Sequence, residues 1–140
     1  MELINPDGSK GFQEECGIKM HGGGSREQSK EKKHPLRLVF KAEYGGSKLN
    51  FQLFPDSPVT EFDTIDLRSD YNNHWTHMYD NAQRARGTLT RDALFKDVQA
   101  AMGAVSSHSR FVHLYINGLY WGVYNPCERP EAALDRKSVV

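Results

Sequence analysis

The chain of 140 residues has no excess of either charge: 18 Lys and Arg balance 18 Asp and Glu. Nucleic-acid binders and membrane-surface proteins carry a basic excess, so neither class is expected here. Long apolar runs are also missing, and no segment could span a bilayer as a helix. No charged start followed by an apolar stretch is visible, so there is no visible signal peptide. Cysteine is scarce, with only 2 in the chain. Cys16 and Cys127 lack CxxC spacing, which leaves a zinc knuckle unsupported. Two free, largely buried thiols are the first reading, and one disulfide in an exported protein is the second. Neither GxxxxGK[ST] nor GxGxxG before a helix occurs, so the standard mononucleotide and dinucleotide loops are absent.

What is present is ordinary for a globular domain: 38% hydrophobic and 26% charged residues, in a chain long enough for one core. Glu2 to Ile4 opens as a strand, Asn5-Pro6-Asp7-Gly8 is a turn, and Phe12 to Met20 is extended. After the glycine-rich His21 to Arg26, Leu36, Leu38 and Phe40 alternate as a half-buried strand does. Leu49 to Phe54 and Phe62 to Arg68 are further strand candidates, and Thr76 to Arg86 is a weak helix candidate. Thr90 to Ala104 is the best helix, with Thr90 as N-cap, Asp92 in its first turn and Gly103 near its end. Its stripe of Leu94, Val98, Ala101, Met102 and Val105 is expected to pack on a sheet. Asn117-Gly118 predicts a two-residue hairpin between Phe111–Ile116 and Leu119–Tyr124. That register pairs Ile116 with Leu119, Leu114 with Trp121 and Val112 with Val123 on a core face. Strands, helix, then hairpin predict an α+β fold: an antiparallel sheet with one packed helix.

Few residues point to chemistry. In Gly22-Gly23-Gly24-Ser25, glycines let backbone amides approach an anion, although spacing alone reads first as a flexible surface turn. Arg26, Lys30, Lys32, Lys33 and Arg37 follow, and such side chains partner phosphate. With Glu27 and Glu31 interspersed, composition alone reads first as a solvated charged loop. Lys32 and Lys33 enter a strand just after a glycine loop, where kinase-like folds carry a phosphate-binding lysine. His74 and His77 are spaced HxxH without an indicated third ligand. Glu128 and Arg129, next to Pro126 and Pro130, read as a charged loop.

Five segments in order carry a family resemblance: INPDGSKGFQEECGIKMHGGGSR, KKHPLRLVFKAEYGGSKLNFQLF, FDTIDLRSDYNNHW, TRDALFKDVQAAMG and FVHLYINGLYWGVYNPCERP. Across residues 2–131 they resemble the first part of the CotH family, named for spore-coat protein H. The resemblance implies an atypical protein kinase that moves phosphate from ATP to Ser or Thr of coat or cell-surface proteins, with Mg²⁺. It implies a kinase N-lobe over residues 1–134, cut before the C-lobe that would be its partner. By motif position it implies nucleotide-binding roles for Ser25, Arg26, Lys32, Lys33, Arg37 and Glu128, the last in a hinge over Asn125 to Arg129. His34-Pro35 stands where the family often has Ser. The family's metal and catalytic aspartates belong to a later WDxD-like segment, so no catalytic or metal residue is assigned. Residues 135–140 resemble a translated sequencing adapter.

Three readings follow. The first is a fragment of a bacterial, extracytoplasmic or coat-associated kinase, expected to be inactive and poorly soluble alone. The second is a non-catalytic CotH-like scaffold, and the third an unrelated anion-binding α+β domain. Nucleic acid and membrane insertion are not expected in any of them.

Overall fold

The computed structural model describes residues 1–129; the tail expected at 135–140 lies outside them. Nine short strands form in chain order: β1 (Glu2–Leu3), β2 (Phe12–Gln13), β3 (Gly17–Met20), β4 (Leu36–Val39), β5 (Leu49–Asn50), β6 (Glu61–Phe62), β7 (Thr64–Arg68), β8 (Val112–Ile116) and β9 (Leu119–Glu128). Two helices, α1 (Asn81–Ala85) and α2 (Arg91–Ala101), lie between β7 and β8. The main sheet is antiparallel and five-stranded, ordered β3-β4-β7-β9-β8, with two small two-stranded ladders beside it. The expected strand from Phe12 to Met20 is therefore split: Phe12–Gln13 joins β1 and Gly17–Met20 joins the sheet.

Register explains which residues are inside. β4 and β7 pair Arg37 with Asp66 and Leu38 with Ile65, while β7 and β9 pair Asp66 with Cys127 and Ile65 with Glu128. Side chains alternate across a strand. One face therefore carries Leu38, Ile65, Leu67 and Tyr124, which join Phe40, Leu49, Leu53, Phe54 and Phe62 in the core. The segment from Leu49 to Phe62 covers this face, with Phe54 and Phe62 edge to face at 5.7 Å. The other face carries the Arg37–Asp66 pair and Arg68.

The helix does not pack as its stripe suggests. Leu94, Val98, Met102 and Val105 are exposed, and α2 has no buried residue. It meets the sheet through charge instead: Arg68 Nε lies 3.2 Å from Asp92 Oδ2, and Lys96 Nζ lies 2.9 Å from the same oxygen. The reason is the polar face beneath it, which an apolar stripe would only desolvate. Thr90 stands at the N-cap without a side-chain cap bond.

The hairpin turns at Asn117 and Gly118, both with positive φ, as a type I′ turn requires. Its register differs from the simple one. Tyr115 pairs with Tyr120, but Leu114 pairs with Gly122, so Trp121 has no partner and forms a bulge. The bulge moves the following residues by one place. Val112 then faces Tyr124 instead of Val123, and Tyr124 joins the core at 1% exposure. Ile116, Leu119 and Trp121, expected in the core, are exposed.

Candidate functional site

The glycine loop leads into a single 3₁₀ turn, Gly24–Arg26, in which Ser25 is buried and Arg26 exposed. A side chain at Gly22, where φ is +106°, would collide with the Ser25 hydroxyl, so the tight approach needs glycine. The Ser25 carbonyl lies 2.9 Å from His34 Nδ1.

Lys32 is exposed, but the neighbouring Lys33 is enclosed at 8% exposure. The Lys33 ammonium donates to the Val123 carbonyl and lies 4.6 Å from the centre of the Tyr124 ring. The Tyr124 hydroxyl donates to the His34 carbonyl at 2.9 Å, which closes a chain of contacts from Lys33 back to Ser25. Burial pushes the Lys33 pKa down, and the carboxylates of Asp70 and Glu31 push it back up. Burial pushes the Tyr124 hydroxyl up to about 12.

Glu31 organises the turn before Lys33. Its Oε1 accepts from the N–H groups of Lys32 and Lys33, both at 3.0 Å, and from the Thr76 hydroxyl at 2.9 Å. The side chain is almost fully enclosed, and Oε2 has no hydrogen-bond partner among the described residues. Asp70 is buried nearby in a left-handed conformation with φ 57°. Burial, reinforced by Asp92, pushes its pKa up, while Arg68, Lys33 and Lys96 oppose the shift. Asp70 Oδ1 also lacks a partner among the described residues. An enclosed lysine beside two incompletely satisfied carboxylates is a polarised site that holds protons and charges in fixed places.

The segment after β7 folds back over this loop. The Met78 N–H donates to the Lys30 carbonyl at 3.4 Å, and Tyr71 Oη donates to Tyr79 Oη at 3.1 Å. The Thr76 N–H donates to His74 Nδ1 at 3.0 Å. That nitrogen is therefore the unprotonated acceptor, a tautomer assigned from its partners. Burial first, and the Lys33 charge second, bring the His74 pKa down to about 4 from 6.5, against the pull of Glu31. The unfolded chain takes up this proton more readily than the folded one. Stability from neutral His74 is fully present above about pH 6.5 and falls as the pH drops towards about 4. Melting temperatures over that range should decline more steeply in the wild type than in His74→Gln; equal slopes would show that His74 is not the group responsible.

The remaining residues suggested by position lie elsewhere. Arg37 grips Asp66 through two bonds, at 2.5 and 2.8 Å, with His21 Nε2 at 3.2 Å from Arg37 Nη2. Glu128 lies on the opposite sheet face, in the Leu38–Ile65 row, enclosed at 3% exposure. Its carboxylate accepts from the Ser57 hydroxyl at 2.6 Å and from the His108 N–H at 3.0 Å, with His108 Nδ1 also at 3.0 Å. Asn125 to Glu128 continue β9 in pairing with β7. The structure thus gathers Ser25 and Lys33, leaves Arg26 and Lys32 on the surface beside them, and engages Arg37 and Glu128 in tying strands and loops together. The sequence reading placed Glu31 in a solvated loop, whereas it is buried, and did not single out Asp70, Gly122 or Tyr124. Only tertiary structure brings these last three to Lys33.

Both cysteines are free, Cys127 buried and Cys16 half-buried. Among the described residues, no three His, Cys, Asp or Glu side chains are grouped to hold a metal ion. No helix among the described residues is long and apolar enough to cross a membrane.

Fold and site together define a small α+β domain with a curled antiparallel sheet, few helices, a glycine-rich loop and, after it, a lysine enclosed against β9. The family model described as CotH kinase protein matches residues 18–140, and the chain belongs to that family. No curated protein matches the chain.

Proposed function

We propose that this chain supplies the nucleotide-side part of a CotH-type protein kinase that transfers phosphate from ATP to Ser or Thr of a protein substrate. One observation carries the reading: Lys33, between the glycine loop and β4, is held by its surroundings, while Lys32 next to it and Arg26 at the end of the loop are exposed. A fixed cation with exposed ones on the same loop suits a polyphosphate, whose charge must be met by preorganised donors. Ser25, Arg26, Lys32 and Lys33 are the proposed phosphate contacts. Arg37 and Glu128 act indirectly, by holding β4 against β7 and by anchoring the end of β9. The carboxylates for a metal and for catalysis come from outside the described residues, so the chain by itself binds ATP but transfers no phosphate. By family, the substrate is a bacterial coat or cell-surface protein.

Calorimetric titration with ATP and with adenosine tests this reading. ATP should bind more tightly than adenosine, with an advantage that shrinks as salt is raised. Equal affinities, or none, would refute it. A second reading, a non-catalytic CotH-like scaffold, is favoured by the apolar side chains exposed on α2 and the hairpin tip, among them Phe95, Met102, Leu119 and Trp121. It predicts no ATP binding.

A further inference from the structure

We propose that Gly122 and Tyr124 of β9 are positioning residues that form a seat for Lys33. The proposal rests on the nucleotide reading of Lys33 and adds what decides where its ammonium stands.

Four observations converge. The bulge at Trp121 brings Gly122, rather than a side chain, opposite Leu114. Gly122 has φ +119°, and a Cβ there would lie 3.4 Å from Lys33 Cε. The lysine stem thus passes at van der Waals distance over a position whose backbone conformation favours glycine. The ammonium is then received by the Val123 carbonyl and the Tyr124 ring. The ring is fixed in turn by its hydroxyl bond to the His34 carbonyl. The contacts that receive the stem and the ammonium come from β9, and the Asp70 and Glu31 carboxylates act on the charge from other elements. The freedom of a long side chain is therefore lost on folding and not on ligand binding, which is what preorganisation requires. An amine held this way is shielded from reagents, whereas Lys32 on the surface is not.

Acetylation of the full chain over a pH series, read residue by residue by mass spectrometry, tests the seat with Lys32 as internal reference. In the wild type, Lys33 should react about tenfold or more slowly than Lys32 at a pH where free lysines compete. Gly122→Ala and Tyr124→Leu should bring Lys33 to within a few-fold of Lys32 and move its reactivity profile towards that of an ordinary lysine. The conservative Tyr124→Phe should keep most of the shielding. Folded variants in which the Lys33 to Lys32 ratio stays at the wild-type value would overturn the proposal. So would a wild type in which both lysines react alike, a comparison that needs no variant to fold. ATP titration of the same proteins separates this proposal from the one beneath it. If the wild type binds no ATP, the nucleotide reading falls while the acetylation ratio still decides the seat. If the wild type and the freed-lysine variants bind ATP equally, the seat exists but positions nothing, and the proposal fails. A loss of about tenfold in ATP affinity alongside faster acetylation is the expected result.

Discussion

Arg37→Ala should destabilise the folded chain by about 3–5 kcal/mol, the usual cost of leaving one partner of a buried ion pair alone. Arg37 and Asp66 face each other across β4 and β7, each with only 13% of its side chain exposed. The pair is bidentate, so both carboxylate oxygens would lose their donor together. The remaining carboxylate would sit on a sheet face at 13% exposure, with His21 Nε2 at 3.5 Å. Urea unfolding should show the loss as a lower midpoint at an unchanged slope. Replacing both partners, with Arg37→Met and Asp66→Leu, should recover most of it, because well-packed apolar pairs commonly equal buried ion pairs. If Arg37→Ala melts like the wild type and loses only ATP affinity, then Arg37 touches the nucleotide directly, as its motif position implies.

The second large effect falls on Glu31. Glu31→Ala leaves the Lys32 and Lys33 N–H groups and the Thr76 hydroxyl without their acceptor, in a place where the side chain is 1% exposed. It also removes an anion that helps keep Lys33 charged. The buried Lys33 N–H, once stranded, costs about 1–3 kcal/mol, the part-buried Lys32 N–H and Thr76 hydroxyl cost less, and the losses are not fully additive. A total of about 2–4 kcal/mol is a large share of a typical domain's stability. Glu31→Gln keeps an acceptor oxygen and should cost distinctly less. Thr76→Val removes one of the three bonds and should cost least. Thermal unfolding of the three variants would contradict this account if Glu31→Ala were no worse than Thr76→Val.

Both effects concern residues that the sequence read differently or passed over, and the physical reason is the same. Local patterns were legible wherever the cause is local. Asn117-Gly118 predicts its own turn, and the alternation of Leu36, Leu38 and Phe40 predicts which side of β4 is buried. Residues paired across strands far apart in the chain were not legible. Nothing near Arg37 announces Asp66, and nothing near Lys33 announces Val123 or Tyr124. The hairpin shows how small the missing information is. One bulge at Trp121 exchanges the faces of the residues beyond it, so Tyr124 becomes core and Trp121 does not. The apolar stripe of α2 misled for a different reason. Periodicity says that a helix has an apolar face, not that anything among the described residues covers it. Of the candidate site, the glycine loop and the following lysines were visible because their chemistry sits in consecutive residues. The carboxylates that tune Lys33 were not.

The most direct test of the central claim, that the loop from Gly22 to Lys33 receives the phosphates of ATP, is to follow backbone amide resonances during an ATP titration. The account predicts that the largest shifts fall on Gly23, Gly24, Ser25, Lys32 and Lys33, and that they weaken in Lys33→Met and in Lys32→Met. Shifts confined to α2 or the hairpin tip, or none at saturating ATP, would contradict it.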